Sequence, residues 1–365
     1  MFNDMLLAEY SAQISPLDKT AMAAARARQD SLAKPPHSLG RLEDMAVKFS
    51  GITGKLFNSV AKRRILVFCA DNGVVAEGVA SAPQSVTLAQ TINFTRGLTG
   101  VGTLARHFGC ELNVIDMGIN ADFDCPAVFN RKIAYGTKNI AEGPAMTREQ
   151  VLTAIATGIE FAEKAKNDGC DIIGIGEMGV GNTTTSSAIL SCLTGLSPEI
   201  TVGRGGGVND KGFSRKREII ETAIARENPD PTDPVAVLAA LGGFDIAAMA
   251  GAYIGAAHSR LPVVIDGYIS VVAALCAAKI APASTAYMFA SHASYEPGYM
   301  HAVNALGLKP MFDLEMRLGE GSGCPIAFEI IGGALAVQEK MATFEEARID
   351  DSYLTEIRAD ERLQR

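Results

Sequence analysis

Leu318-Gly319-Glu320-Gly321-Ser322-Gly323 places one carboxylate among three glycines. The flanking Met316, Leu318, Ile326 and Ala327 can desolvate it. Desolvation raises a carboxyl pKa toward the range of a useful base. The same stretch also reads as a helix start, with Ser322 capping a helix that opens near Cys324-Pro325. Both readings can hold, because a helix start can also orient a catalytic loop.

Two further glycine-rich stretches carry polar side chains. Gly174-Ile175-Gly176-Glu177-Met178-Gly179 matches G-x-G-x-x-G after an apolar run, the pattern of a dinucleotide-binding turn. A carboxylate at Glu177 would repel a pyrophosphate, and Glu199, beside Ser197-Pro198, is poorly placed as the ribose-binding acid. A purely structural turn is the second reading. A site turn presenting Glu177 and the polar run Asn182-Thr183-Thr184 is the third. Thr201 to Gly207 holds four glycines, including Gly205, and leads to Lys211, Arg215, Lys216 and Arg217. Glycines let backbone N–H groups approach a phosphate, and a lysine can neutralise it. The G-K-[ST] ending of a Walker loop is missing, and a surface loop with solvated charges is the alternative. Among the five histidines, His292 follows an apolar run and could line a cleft, but no Ser/His/Asp order or HExxH spacing occurs.

Such residues need elements to hold them. Apolar β-prone runs begin at Arg64 and recur at Leu112–Gly118, Asp171–Gly179, Pro262–Gly267 and Ala286–His292. Continuous apolar runs indicate strands buried on both faces. Helical patterns lie between them, at Thr147–Asn167, Thr184–Leu193, Phe244–Ala257 and Ile269–Lys279. Strands alternating with helices predict a parallel sheet with right-handed crossovers. Ligands of an open parallel sheet bind at the carboxyl ends of its strands. Asp71, Asp116, Glu177, Asp266 and Ser291 are therefore predicted to face one cleft. Before the first run, Ser15-Pro16 reads as a helix start, and the helix runs to about Leu32. Lys34-Pro35-Pro36 breaks it, and Ser38 to Glu43 turns into another helix. The tail after Phe312 returns to helix, with Cys324–Ala342 the strongest pattern.

The 365 residues suit one large domain or two ordinary ones, and 48% hydrophobic with 20% charged residues is a globular balance. A net charge of −8 lacks the basic footprint of a nucleic-acid binder. The longest uncharged apolar runs, such as Ile246–Ala257, fall short of the roughly 20 residues of a membrane span. MFNDMLLAEY shows no secretory signal. Seven scattered cysteines without a CxxC pair argue against a disulfide framework or zinc site and suit a reducing cytoplasm.

Taken together, the motifs resemble the nicotinate-nucleotide–dimethylbenzimidazole phosphoribosyltransferase family of cobalamin lower-ligand synthesis. The resemblance runs from Lys34 to about Ala336. It rests on KPPHSLGRLE (34–43), CADNGVVAEGVA (69–80), GIGEMGVGNTT (174–184), GGFDIAAMAG (242–251), IDGYIS (265–270) and MRLGEGSG (316–323), all in order. It implies an α/β fold with a doubly wound, mostly parallel Rossmann-like sheet. It also implies a small helical domain formed by both chain ends, expected at 1–60 plus 312–365, with the large domain at 61–311. A homodimer without metal or cofactor is implied too. The implied reaction transfers phosphoribose from nicotinate mononucleotide to a benzimidazole nitrogen, giving α-ribazole 5′-phosphate and nicotinate. The resemblance puts the catalytic base on Glu320 and a second site carboxylate on Glu177. It maps the base pocket to Ala82, Gln90 and Leu318, and the phosphate site to Lys216 and Ser291. The nucleotide side also takes in Gly176, Asn182, Thr183, Gly205 and Asp266. Some relatives carry Ser where Ala82 stands, and the run Gly205-Gly206-Gly207 also departs from forms with Thr there.

Two other classes stay open at this level. A nicotinamide-dependent oxidoreductase rests only on G-x-G-x-x-G. A non-catalytic nucleotide-binding protein would bind the mononucleotide without releasing nicotinate.

Overall fold

A computed structural model of the chain describes residues 2–355 and 357. It divides into two compact units, Met1–Ser15 with Lys62–Ala327, and Pro16–Ala61 with Phe328–Arg365. Residues 1, 356 and 358–365 of the expected small domain lie outside the described residues.

The larger unit is built on six strands, β1 (Arg63–Ala70), β2 (Glu111–Gly118), β3 (Val128–Asn130), β4 (Ile172–Met178), β5 (Val263–Ile265) and β6 (Met288–Ala290). All pair in parallel in the order β3-β2-β1-β4-β5-β6. The chain thus winds outward in two directions from β1, and the connections diverge between β1 and β4. Ile65 to Ala70 are fully buried, as their unbroken apolar run requires. Five strands follow the sequence expectation. β3 does not: three residues after a proline-containing loop carry no period, and only pairing with Val114 to Asp116 makes them a strand.

Helices fill the crossovers, among them Arg148–Asn167 before β4, Asn182–Thr194 after it, and Tyr268–Ile280 after β5. The helix Phe244–His258 packs on β1, on β4 and along Arg148–Asn167. Its contact with the latter is a backbone contact. A Cβ on Gly251 would run into the Ile155 carbonyl, so glycine sets how closely the two helices cross.

The smaller unit contains the helices Lys19–Ser31 and Arg41–Thr53, which pack on each other, and a polar seam. Arg28 Nε donates to the Gln338 carbonyl at 3.0 Å, and Gln338 Nε2 donates to Ser50 Oγ at 3.1 Å. Lys34 Nζ and Glu43 Oε1 form a buried ion pair at 2.8 Å. The expected helix start at Ser15-Pro16 is corrected. Asp18 is the cap, accepting from the Ala21 N–H, and the helix opens at Lys19. A helix at Asp4–Ala12, capped by Asn3, was not expected from the sequence.

Gly251→Ala tests the helix crossing. Overpacking of this kind costs about 1–3 kcal/mol. The urea midpoint should fall at unchanged m-value, and an unmoved midpoint would mean the helices part without strain.

Candidate active site

At the carboxyl ends of β1 and β4 to β6 lies a cavity of about 310 Å³. Its wall includes Ala82 and Gln90 after β1, Glu177, Asn182 and Thr183 at the end of β4, Gly205 and Lys216 beyond it, and Leu318 and Glu320 from the late glycine loop. Segments separated by more than two hundred residues thus meet where an open parallel sheet places its ligand crevice.

Asp266, just past β5, positions the Glu320 loop. Its two carboxylate oxygens accept the N–H groups of Gly321 at 3.0 Å and Gly323 at 2.7 Å. Up to and including the first of those donors the backbone is left-handed at three successive residues, Gly319 (φ +84°), Glu320 (+65°) and Gly321 (+92°). Left-handed geometry at a non-glycine residue is strained and persists only where its surroundings over-determine it. The loop also lies directly on β4. A Cβ on Gly176 would meet the Glu320 carbonyl. The close approach that Gly176 permits is therefore filled by the chain itself, which removes the pyrophosphate reading of G-x-G-x-x-G. The capping role expected of Ser322 is corrected as well. Its Oγ has no partner among the described residues, and Asp266 serves the helix start instead.

Both oxygens of Glu320 are held. Gln90 Nε2 donates to Oε1 at 3.3 Å, and the Val101 N–H donates to Oε2 at 3.1 Å. Burial pushes this carboxyl above the usual range, with the Asp266 charge adding to the effect and the Val101, Gly100 and Gln90 donors opposing it. Glu177 lies next to it and accepts the Glu320 N–H at 3.3 Å through Oε1. Its Oε2 accepts from Asn182 Nδ2, which also donates to Asp245 Oδ2 at 3.0 Å. Burial raises Glu177, Asp245 and Asp266 each to about 7. A carboxyl poised near neutrality can take up a proton at working pH.

The opposite wall is cationic. Lys216 is buried, and its Nζ donates to Thr183 Oγ1 at 2.9 Å and to the Gly203 carbonyl at 3.4 Å. Burial lowers its pKa to about 8, against the pull of the Glu296 charge. Gly205 lies beside it in the left-handed region (φ +53°). Lysine, threonine and glycine-loop backbone are donor groups of the kind that can hold an anion, with the Glu296 carboxylate close by.

The expectation that five strand-end residues face one cleft is corrected. Only Glu177 lines the cavity. Asp71 accepts the Asn120 N–H at 2.8 Å, and Asp116 accepts those of Gly118 and Ile119, so both tie down the loop after β2. Asp266 holds the Glu320 loop from behind. Ser291 is fully buried and donates to the Asp266 carbonyl at 3.0 Å, off the cavity wall. Gly176 is likewise under the loop. His292 is buried beside Ser291, and burial lowers its pKa to about 4, so it stays neutral. Sequence reasoning passed over Asp245, Glu296 and Arg317. Glu296 and Arg317 line the cavity, and the loop after β6 could have been searched for the former by the strand-end rule. The signal for Asp245 was a lone carboxylate in an otherwise apolar helix.

Among the described residues, no group of three His, Cys, Asp or Glu is arranged to hold a metal ion. No helix among them is long and apolar enough to cross a membrane.

Comparison with known proteins agrees with this geometry. A phosphoribosyltransferase family profile matches residues 14–349. The chain is 51% identical over 356 residues, 98% of its length, to a nicotinate-nucleotide–dimethylbenzimidazole phosphoribosyltransferase of Clostridium perfringens, covering 99% of that protein. It is 52% identical over 337 residues to the enzyme of that name from Ruminiclostridium cellulolyticum, covering 92% and 96% of the two chains. The crystal structure of CobT from Thermus thermophilus superposes with a TM-score of 0.88 at 40% identity, covering 91% of this chain and all of that one. The chain is therefore an enzyme that belongs to the nicotinate-nucleotide–dimethylbenzimidazole phosphoribosyltransferase family.

Proposed function

We propose that the enzyme transfers phosphoribose from nicotinate mononucleotide to 5,6-dimethylbenzimidazole or a related base in one inverting displacement, with Glu320 as general base. The observation that carries the reading is the Glu320 carboxylate. It is fixed at both oxygens on the cavity wall and raised in pKa by burial. An azole N–H is a weak acid, and a carboxylate made more basic by desolvation suits its removal.

The step balances without a further reactant. The ring nitrogen of the acceptor forms a bond to C1′ as the bond from C1′ to the pyridinium nitrogen breaks. That electron pair neutralises the pyridinium, and nicotinate leaves without needing an acid. The azole proton passes to Glu320. Attack opposite the leaving group turns a β-nucleotide into an α-nucleotide. In this reading Glu177, as the second carboxylate, faces the positive charge that develops on the ribose.

Ala82, Gln90 and Leu318 form the side that receives the acceptor base in this reading. Asn182, Thr183, Gly205 and Lys216 take the nucleotide, with Lys216 on its phosphate. Gly176, Asp266 and Ser291 support the loop from behind. We also propose that the enzyme works as a homodimer, as the family resemblance implies, in the cytoplasm that its scattered cysteines suit.

Incubation with nicotinate mononucleotide and dimethylbenzimidazole, followed by assay of nicotinate and of the ribosylated base, tests the reaction. Binding without nicotinate release would favour a nucleotide-binding protein. Proton NMR should show an α-configured product, and a β-product would rule out the single displacement.

Glu320→Gln should keep fold and substrate binding and lose about 10²–10⁴ in kcat, the usual contribution of a general base. More than half the wild-type kcat would remove Glu320 from the role.

Lys216→Ala should raise KM for the mononucleotide far more than for the benzimidazole, since a charge-assisted hydrogen bond contributes roughly 1.5–3 kcal/mol. The pH profile carries the same sign. With the lysine at about 8, its charge is present below that pH and lost above it. KM for the mononucleotide should therefore climb as pH rises through 8 in the wild type but not in Lys216→Ala. A KM that is flat across that range would place the phosphate elsewhere.

A further inference from the structure

Asp245 is fully buried in the first turn of the helix Phe244–His258, whose remaining buried residues are apolar or glycine. It does not line the cavity. Burying a carboxylate is costly unless it is paired or protonated, and no ion pair to Asp245 is formed among the described residues. Its ionisable neighbours are Glu177 from β4 and Cys69 from β1, the thiol being held neutral by burial. The helix N-terminus alone is a weak counter-charge. Some other demand keeps an acid here.

The hydrogen bonds supply it. Asn182 Nδ2 is shared between Glu177 Oε2 and Asp245 Oδ2, so both of its N–H bonds are used by acidic groups. A side-chain amide can turn over and exchange its oxygen for its nitrogen. Turned over, Asn182 would aim an oxygen at Glu177, and that carboxylate would have to take a proton to meet it. Asp245 prevents this by accepting the second N–H. Its other oxygen, Oδ1, makes no side-chain hydrogen bond among the described residues, while the Ile246 and Asp245 N–H groups of the helix start act on the carboxylate. Asn72 Oδ1, near Gly243, already accepts from Thr185 Oγ1 at 3.3 Å.

We infer that Asp245 is a positioning residue, an acceptor that fixes the Asn182 amide with its NH₂ group toward Glu177 and so favours the ionised form of Glu177 beside the reacting centre. The inference rests on the proposed reaction for the meaning of Glu177, but the orientation of the Asn182 amide is read from its two hydrogen bonds. Burial raises this carboxyl and the Glu177 charge adds to it, while the Asn182, Ile246 and Asp245 donors oppose them.

The role makes an isostere informative. Asp245→Asn keeps an acceptor oxygen for the Asn182 NH₂ group. Asp245→Asn should hold kcat within about threefold of wild type, whereas Asp245→Ala should lower it about tenfold or more with KM for both substrates nearly unchanged. If Asp245 acts only through Asn182, the two are coupled. Adding Asp245→Ala to Asn182→Ala should then cost less than about twofold beyond the single variant, since residues acting as a unit are non-additive. Side-chain amide NMR gives a readout apart from turnover. The Asn182 NH₂ pair should keep its shifts in Asp245→Asn and lose them in Asp245→Ala. Asp245→Asn as impaired as Asp245→Ala, or a full Asp245→Ala penalty in the Asn182→Ala background, would overturn the inference. Should Asp245→Ala not fold, Asp245→Asn and the amide spectrum decide alone. Wild-type protein that releases no nicotinate would count against the proposed reaction, while the amide shifts would still judge Asp245.

Discussion

The carboxylate of Asp266 accepts the N–H groups of Gly321 and Gly323, and the geometry of the site follows from that pair of bonds. They bring a loop from near residue 320 onto the end of β4 and hold Glu320 at a positive φ. The carboxylate of Glu320 then meets Gln90 and the Val101 N–H, while its own N–H meets Glu177. Removing the Asp266 anchor would free the strain at Glu320, which lies between two glycines that take positive φ at little cost. The Glu320 loop is therefore anchored from the end of β5, and its carboxylate is carried by a segment that belongs to no strand.

The same arrangement concentrates acid. Glu177, Asp245, Asp266 and Glu320 are all buried and all raised above the carboxylate range. An acid whose folded pKa exceeds its unfolded value favours the folded state below that pKa, and the benefit is lost as pH rises through it. Three of these groups lie at about 7, so the interior of the site is least comfortable on the alkaline side, where all would ionise together. A cationic group bound in the cavity would relieve that repulsion.

Much of this was legible beforehand, for reasons that differ by residue. β1 and β4 could be read because buried parallel strands are unbroken apolar runs. Glu320 could be read because one charge among glycines is rare. The β3 strand could not, since three residues have no period and need a neighbour to define them. Asp71 and Asp116 were assigned to the cleft because the strand-end rule gives the correct edge of the sheet. It does not say which side of the β1–β4 divergence each strand end serves, and their carboxylates are consumed by the β2 loop. Ser291 failed differently: it sits at a strand end, but below the surface, and depth is a property of packing that one-dimensional pattern does not record. Asp245 was hidden by its surroundings, since an apolar helix invites a packing explanation for every residue in it.

The two outer strands, β3 and β6, are each three residues long, against seven or eight for β1, β2 and β4. An edge strand offers unpaired backbone groups to any other chain, and a short one offers few. A sheet tapered in this way has almost no rim along which a second sheet could add. Association of copies must then proceed through helices and loops, and a partly opened molecule presents little template for strand-by-strand aggregation. The long central strands that could serve as such a template are shielded until both tapered flanks and their covering helices have come away.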